Sequence, residues 1–151
     1  MDDLWAAYVA AHPEAADVEP AVEPFGDSPA MADALLALVV GGGKRATAGP
    51  VCPDDHPVRV GDHWVVLDGS GRSQVVLRTV DVRVGRLDSV DDAFARDEGE
   101  GDLTRAWWLR AHRDFARRVL GLADDVDVDA METRFERFAV VWPPEHADPR
   151  P

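Results

Sequence analysis

Lys44 and Thr47 lie three residues apart in the stretch GGGKRAT, residues 41–47. An ammonium beside a hydroxyl can ease alkoxide formation, or hold a carbonyl or phosphate oxygen. On a continuous strand, the odd spacing would send the two side chains to opposite faces. They converge only where a turn intervenes, which the glycines permit. The same residues also read as a surface lysine followed by a strand threonine. About fifty residues on, FARDEGEGD (94–102) crowds Asp97, Glu98, Glu100 and Asp102 into six positions. One carboxylate turned inward there would be a general base or a hydrogen-bond acceptor. The run reads equally as a solvated acidic turn, and it lacks the spacing of a calcium loop. A third group is Trp108 with His112, four apart on one helical face. That pair suits either a core contact or a stacking wall with a polar tip for a base or nucleoside. Trp107, Ala111 and Phe115 form an adjacent stripe that reads as core.

Several chemistries are excluded by spacing. A phosphate-binding P-loop needs G-x-x-x-x-G-K-[ST] after a strand. Here Arg45 follows Lys44, Leu38 occupies the first glycine position, and the preceding segment is helical by pattern. There is no H-E-x-x-H, no G-x-S-x-G and no pair of histidine ligands. No cofactor or metal is expected.

The elements that must position these residues follow from periodicity and caps. DDLWAAYVAAH has Leu4, Tyr8 and Ala11 at helical spacing. PEAADVEPAVEPFG, with three prolines, reads as a connector and not a strand. SPAMADALLALVVGGG is the clearest helix, with Ser28 as cap, Pro29 in the first turn and glycines as the stop. Its expected buried face is Met31, Leu35, Leu38 and Val39. Two β-rich runs flank DGSG, a hairpin signal. SVDDAFARDEG is expected to start at a Ser89 cap and stop at Gly99, and DLTRAWWLRAHRDFARRVLGLA to be capped by Asp102. RFERFAVVW closes the chain as a strand, with Phe135 and Phe138 on opposite faces unless a bulge intervenes. Strands and helices do not alternate regularly, which points to α+β.

The chain has 151 residues, 46% hydrophobic and 30% charged, which fits one soluble globular domain. The run ALLALVV is too short to span a bilayer, and MDDLWAAY lacks the basic start of a signal peptide. Cys52 is the single cysteine. The expectation is a cytoplasmic protein with no membrane partner. A net charge of -13 argues against a protein that coats nucleic acid nonspecifically. The charge is uneven, however: five arginines and His112 stand against one aspartate between Arg105 and Arg118. Those arginines form either a local basic face or a solvated helix surface.

Together, FGDSPAMADALLALVVGGGKRATAG, the hairpin, FARDEGEGD with WLRAH, and the closing FERFAVVW resemble the ASCH domain family of the PUA-like superfamily, in its longer, uncharacterised branch. The G-x-K-x-x-T element, Gly42 to Thr47, carries the resemblance together with the EGEGD turn. It implies an α+β, single-domain PUA-like β-barrel flanked by helices. The division would be an N-terminal helix and connector over 1–27 packed on the domain, the domain itself over 28–143, and a flexible tail over 144–151. It also implies RNA-related roles. One branch hydrolyses the acetyl amide of acetylated cytidine and another is a ribonuclease. The family's catalytic lysine, threonine and glutamate fall on Lys44, Thr47 and Glu98, with Arg45, Arg78, Trp108 and His112 as candidate ligand contacts. Thr47 would be the nucleophile, Lys44 would activate it or polarise the carbonyl, and Glu98 would shuttle protons. Two alternatives stand beside a nucleoside or RNA hydrolase: a non-catalytic RNA- or nucleotide-binding module, and a homodimer formed through the apolar N-terminal helix. The choice of Glu98 also has a physical basis. Val90, Phe94 and Glu98 are four apart on one face, and a buried carboxylate needs a partner. Lys44 is that expected partner, and Glu98 should be less exposed than Glu100.

Overall fold

The computed structural model describes residues 3–149. Met1 and Asp2, the latter opening the expected N-terminal helix, and the last two residues of the expected tail lie outside them. One five-stranded sheet runs in the order β1 (Ala21–Pro24), β3 (His63–Leu67), β4 (Ser73–Arg86), β5 (Glu132–Trp142), β2 (Ala46–Pro50). β1 pairs with β3 in parallel, and every other pairing is antiparallel. Four α-helices cover it: α1 (Asp3–Ala11), α2 (Pro29–Val40), α3 (Asp92–Glu98) and α4 (Arg105–Leu120).

Neighbouring residues of each central strand serve opposite faces, as the pleat requires. Val65 and Val76 meet Trp5 and Tyr8 of α1, whereas Val66 and Val75 meet Leu36 and Val39 of α2. A third cluster joins Phe94, Trp108, Leu109 and Phe135 under α3 and α4. Phe135 and Phe138 therefore enter different clusters. The register slips by one residue at Val80 of β4, between their partners Arg83 and Thr79.

Local chemistry set most helix ends. Ser28 Oγ accepts the Met31 N–H and Pro29 opens α2. Gly99 ends α3 in the left-handed conformation (φ 72°), as expected. The hairpin forms around DGSG, with β3 and β4 on either side.

Four expectations need correction. Residues 21–24 are a strand: all four are exposed, and an outer parallel edge accommodates Pro24, which has no N–H to donate. The buried face of α2 is Ala32, Leu36 and Val39, with Met31, Leu35 and Leu38 only part-buried, because Met31 and Leu35 turn towards a cleft and not the core. α3 is capped by Asp91, since Ser89 is engaged with Arg86 and Arg83. Thr104 caps α4, and Asp102 in turn accepts hydrogen bonds from the Thr104 N–H and hydroxyl. The chain after β5 is pinned at Asp148, which binds Val140 N and the Arg45 guanidinium.

Candidate active-site cleft

Three glycines and a fourth from α3 explain how Lys44 is placed. After α2, the amides of Gly43 and Lys44 both donate to Leu38 O, wrapping the chain tightly around the helix end. Gly99 packs on this turn so closely that a Cβ there would lie 2.2 Å from Gly43 O. The Arg45 amide then donates to Asp97 O at 2.7 Å. The C-terminal ends of α2 and α3 thus converge on Lys44, whose Nζ donates to Glu98 O at 3.4 Å. Helix C-termini carry partial negative charge, so this junction suits an ammonium and repels a phosphate.

Lys44 and Glu98 are each 1% exposed. Lys44 Nζ stands 3.7 Å from Glu98 Oε2 and 3.2 Å from Glu100 Oε2. His112 Nε2 is 3.5 Å from the same Glu98 oxygen. His112 Nδ1 lies 2.9 Å from Trp108 O; a carbonyl only accepts, so Nδ1 carries the hydrogen and Nε2 faces the carboxylate. Neither Glu98 oxygen has a hydrogen bond of ordinary length, which is rare for a buried polar group.

The electrostatics follow from the packing. Burial would raise the Glu98 carboxyl, but the Lys44 charge, with Glu100 and His112 beside it, outweighs burial and holds it well below the usual carboxylate range. Glu100 moves the opposite way. Burial and the adjacent Glu98 carboxylate push it up to about 7 against the pull of Lys44. Burial works against a charged His112, yet the Glu98 carboxylate 3.5 Å from its Nε2 prevails and raises it. Donor atoms of Glu98, Glu100 and His112 lie within 4.8 Å of one another, a spacing a cation can use. Lys44 already supplies positive charge to this group, at 3.2 Å from Glu100 and 3.7 Å from Glu98.

The cluster forms the floor of a cavity of about 360 Å³ between α2 and α4, a volume suited to a small molecule. Thr47, on β2, lines it, as do Phe25, Met31, Trp107 and Phe115. Gly101 has no side chain to obstruct the Trp107 ring: a Cβ there would meet the ring at 2.1 Å. Arg118 of α4 and Asp27 of the β1–α2 loop pair at 3.0 Å beside this space.

The structure gathers Lys44, Thr47, Glu98 and His112 at one cavity. It does not bring the other candidates there as ligand contacts. Trp108 is 1% exposed, stacked on His112 at 3.7 Å and packed edge-on against Phe94, so it is core. The expected core stripe of Trp107, Ala111 and Phe115 is the cavity wall instead. One residue of helix is about 100° of rotation, and that exchange follows from where α4 docks. Arg45 is spent on Asp148, Val39 O and Lys44 O. Arg78 is exposed on another cavity, with Tyr8, His63 and Trp142. The arginines of α4 are largely engaged within the chain. Arg105 binds Asp88 O and Val90 O, Arg113 binds Asp129, Arg117 binds Ala123 O and Val126 O, and Arg118 binds Asp27. Sequence reasoning missed Glu100 as a Lys44 partner; the turn after Gly99 carries it back to the cavity.

A curled five-stranded sheet with four helices and a helix-lined cleft is a PUA-like α+β architecture. The chain belongs to the ASCH domain family, whose model matches residues 21–142. It is similar to the crystal structure of an ASCH domain from Lactobacillus crispatus, with a TM-score of 0.81 and 25% identity over 93% of this chain and 92% of that one. A protein from Enterococcus faecalis, assigned to a domain family of unknown function, has a TM-score of 0.80 and 27% identity over 91% of this chain and 85% of that one. Among curated proteins, none matches this sequence. No described helix is long and apolar enough to cross a membrane.

Proposed function

We propose that the cleft binds a nucleoside-sized ligand and hydrolyses an amide on it, an acylated cytidine being the class the family resemblance implies. The observation that carries this reading is the Lys44–Glu98 pair, each 1% exposed, on the floor of a cavity that Thr47 also lines. A buried ion pair is weak evidence for stability, because desolvation offsets its attraction. Its retention beside a cavity is therefore better explained by chemistry. Thr47 attacks the acyl carbon, Lys44 stabilises the developing oxyanion, and a carboxylate of the Glu98–Glu100 pair moves the protons. Trp107 and Phe25 offer apolar surface to a planar base.

The charge pattern favours a small ligand over a polymer. Phosphate neutralisation needs free lysines and arginines, and most basic groups near the cleft are tied to carboxylates or carbonyls of the chain. The test is a screen of acylated nucleosides and short single-stranded RNAs against wild type, Lys44→Ala and Thr47→Val. The reading expects release of the acyl group by wild type alone, with Thr47→Val still folded. RNA binding that weakens steeply with salt, without turnover, would replace it with a non-catalytic RNA-binding module.

A further inference from the structure

The two glutamates of the cluster are two residues apart yet differ in access and in partners. Glu98 ends α3, is 1% exposed, and is held from one side by Lys44 and from the other by His112 of α4. Glu100 follows the left-handed Gly99, is 20% exposed at its side chain, and makes the shorter contact to Lys44. Its carboxyl lines the cavity that also holds Thr47. A proton carrier must reach both the reacting atoms and a source of protons, and the enclosed Glu98 meets only the first requirement.

We propose that Glu100 is the carboxyl group that carries protons in this cleft, and that Glu98 is a fixed anion that positions Lys44 and His112. The inference rests on the hydrolytic reading of the site. In the acylation step, ionised Glu100 takes the Thr47 hydroxyl proton as the Thr47 oxygen bonds to the acyl carbon. Glu100 returns that proton to the leaving nitrogen as the C–N bond breaks. In the second step, water attacks the threonyl ester, Glu100 accepts its proton, and that proton goes back to the Thr47 oxygen as the ester C–O bond breaks. The products are a carboxylic acid and the free amine, and the enzyme is restored. A pKa near neutrality suits a group that must both take and give a proton. The groups that set it are Lys44 before β2, Glu98 on α3 and His112 on α4; Asp114 and Arg118 of α4 also border the cavity.

Carboxyl-carbon NMR titration of glutamate-labelled protein tests this without any substrate. Wild type should show a glutamate resonance with a midpoint near 7 that is missing from Glu100→Gln. In Glu98→Gln the same resonance should persist with a lower midpoint, because the neighbouring negative charge is gone. Loss of that resonance in Glu98→Gln and its survival in Glu100→Gln would overturn the assignment. The second arm is the pH dependence of kcat on an acylated cytidine. Glu100→Gln should lose the limb near 7 and about 100-fold or more in kcat, whereas Glu98→Gln should keep a limb at lower pH. An unchanged pH profile in Glu100→Gln would equally overturn the proposal. A wild type that hydrolyses no acylated nucleoside would defeat the hydrolytic reading, and the titration arm would still decide between the two carboxyls.

Discussion

The two sides of the sheet bury ionisable groups in opposite ways. Beneath α1, His63 lies among Trp5, Tyr8 and Trp142 and shares a 3.0 Å hydrogen bond with the Tyr8 hydroxyl. Burial, followed by the positive charge of Arg78, pushes its pKa down and favours the neutral ring. Beneath α2 and α4, Glu98 is more deeply buried and remains ionised because Lys44 stands beside it. Neutralising a buried group is the low-cost solution, and keeping it charged requires a partner and a shaped surround. Lys44 and Glu98, each 1% exposed, form the most deeply buried ion pair among the described residues, and a cavity opens on it. Both sides open on a cavity, and the buried Lys44–Glu98 pair is what sets the α2 and α4 side apart.

The largest test of this contrast removes the partner. Lys44→Met leaves Glu98 buried with His112 as its one remaining cationic neighbour among the described residues and should cost about 3 kcal/mol in urea unfolding. Lys44→Met combined with Glu98→Gln should recover most of that loss, because no charge is then stranded. If the double variant is no more stable than the single one, the cost is packing and the electrostatic contrast is wrong. Gly99→Ala comes next. It forces a side chain into a left-handed residue and against Gly43 O, so about 2–3 kcal/mol should be lost, read by the same unfolding curves.

Glu100→Gln should act through pH. The folded pKa of Glu100 is raised, so its contribution is fully present below the unfolded value near 4.5 and is lost as pH rises through about 7. The neutral glutamine escapes that loss. At pH 8, Glu100→Gln should therefore be more stable than wild type by about 2 kcal/mol, and at pH 5 the gap should close. A gap of equal size at both pH values would show that Glu100 does not titrate in this window. The smallest effect belongs to the aromatic side. Tyr8→Phe deletes one neutral hydrogen bond and should cost about 1 kcal/mol.

What the sequence disclosed divides along the same line. Local chemistry was legible: the Ser28–Pro29 start of α2, the Gly99 stop and the hairpin all follow from backbone preferences of single residues. The Lys44–Glu98 pairing was expected from the motif positions of the ASCH resemblance, together with the need of a carboxylate on a buried stripe for a cation. Docking angles were not. They decide that Leu36, not Leu35 or Leu38, is buried, and that Trp107 lines the cleft while Trp108 is core. Clusters of Ser, Asp and Thr at the starts of α3 and α4 offered competing caps, and the winners depend on tertiary partners such as Arg83 and Arg86. The arginines of α4 read as a basic face because their acceptors, Asp27, Asp88, Asp129 and loop carbonyls, come from distant sequence or from turns without signature.

The central claim is that the cleft is catalytic and that Thr47 is its nucleophile. The measurement that tests it most directly is the rate of acyl release from an acylated cytidine by wild type and by Thr47→Val, with melting curves of both. Valine keeps the branched shape on β2 and removes only the hydroxyl, so the fold should be retained with a small change in melting temperature. The account predicts turnover by wild type and a loss of at least about 1000-fold in Thr47→Val. Turnover by Thr47→Val at the wild-type rate would contradict it.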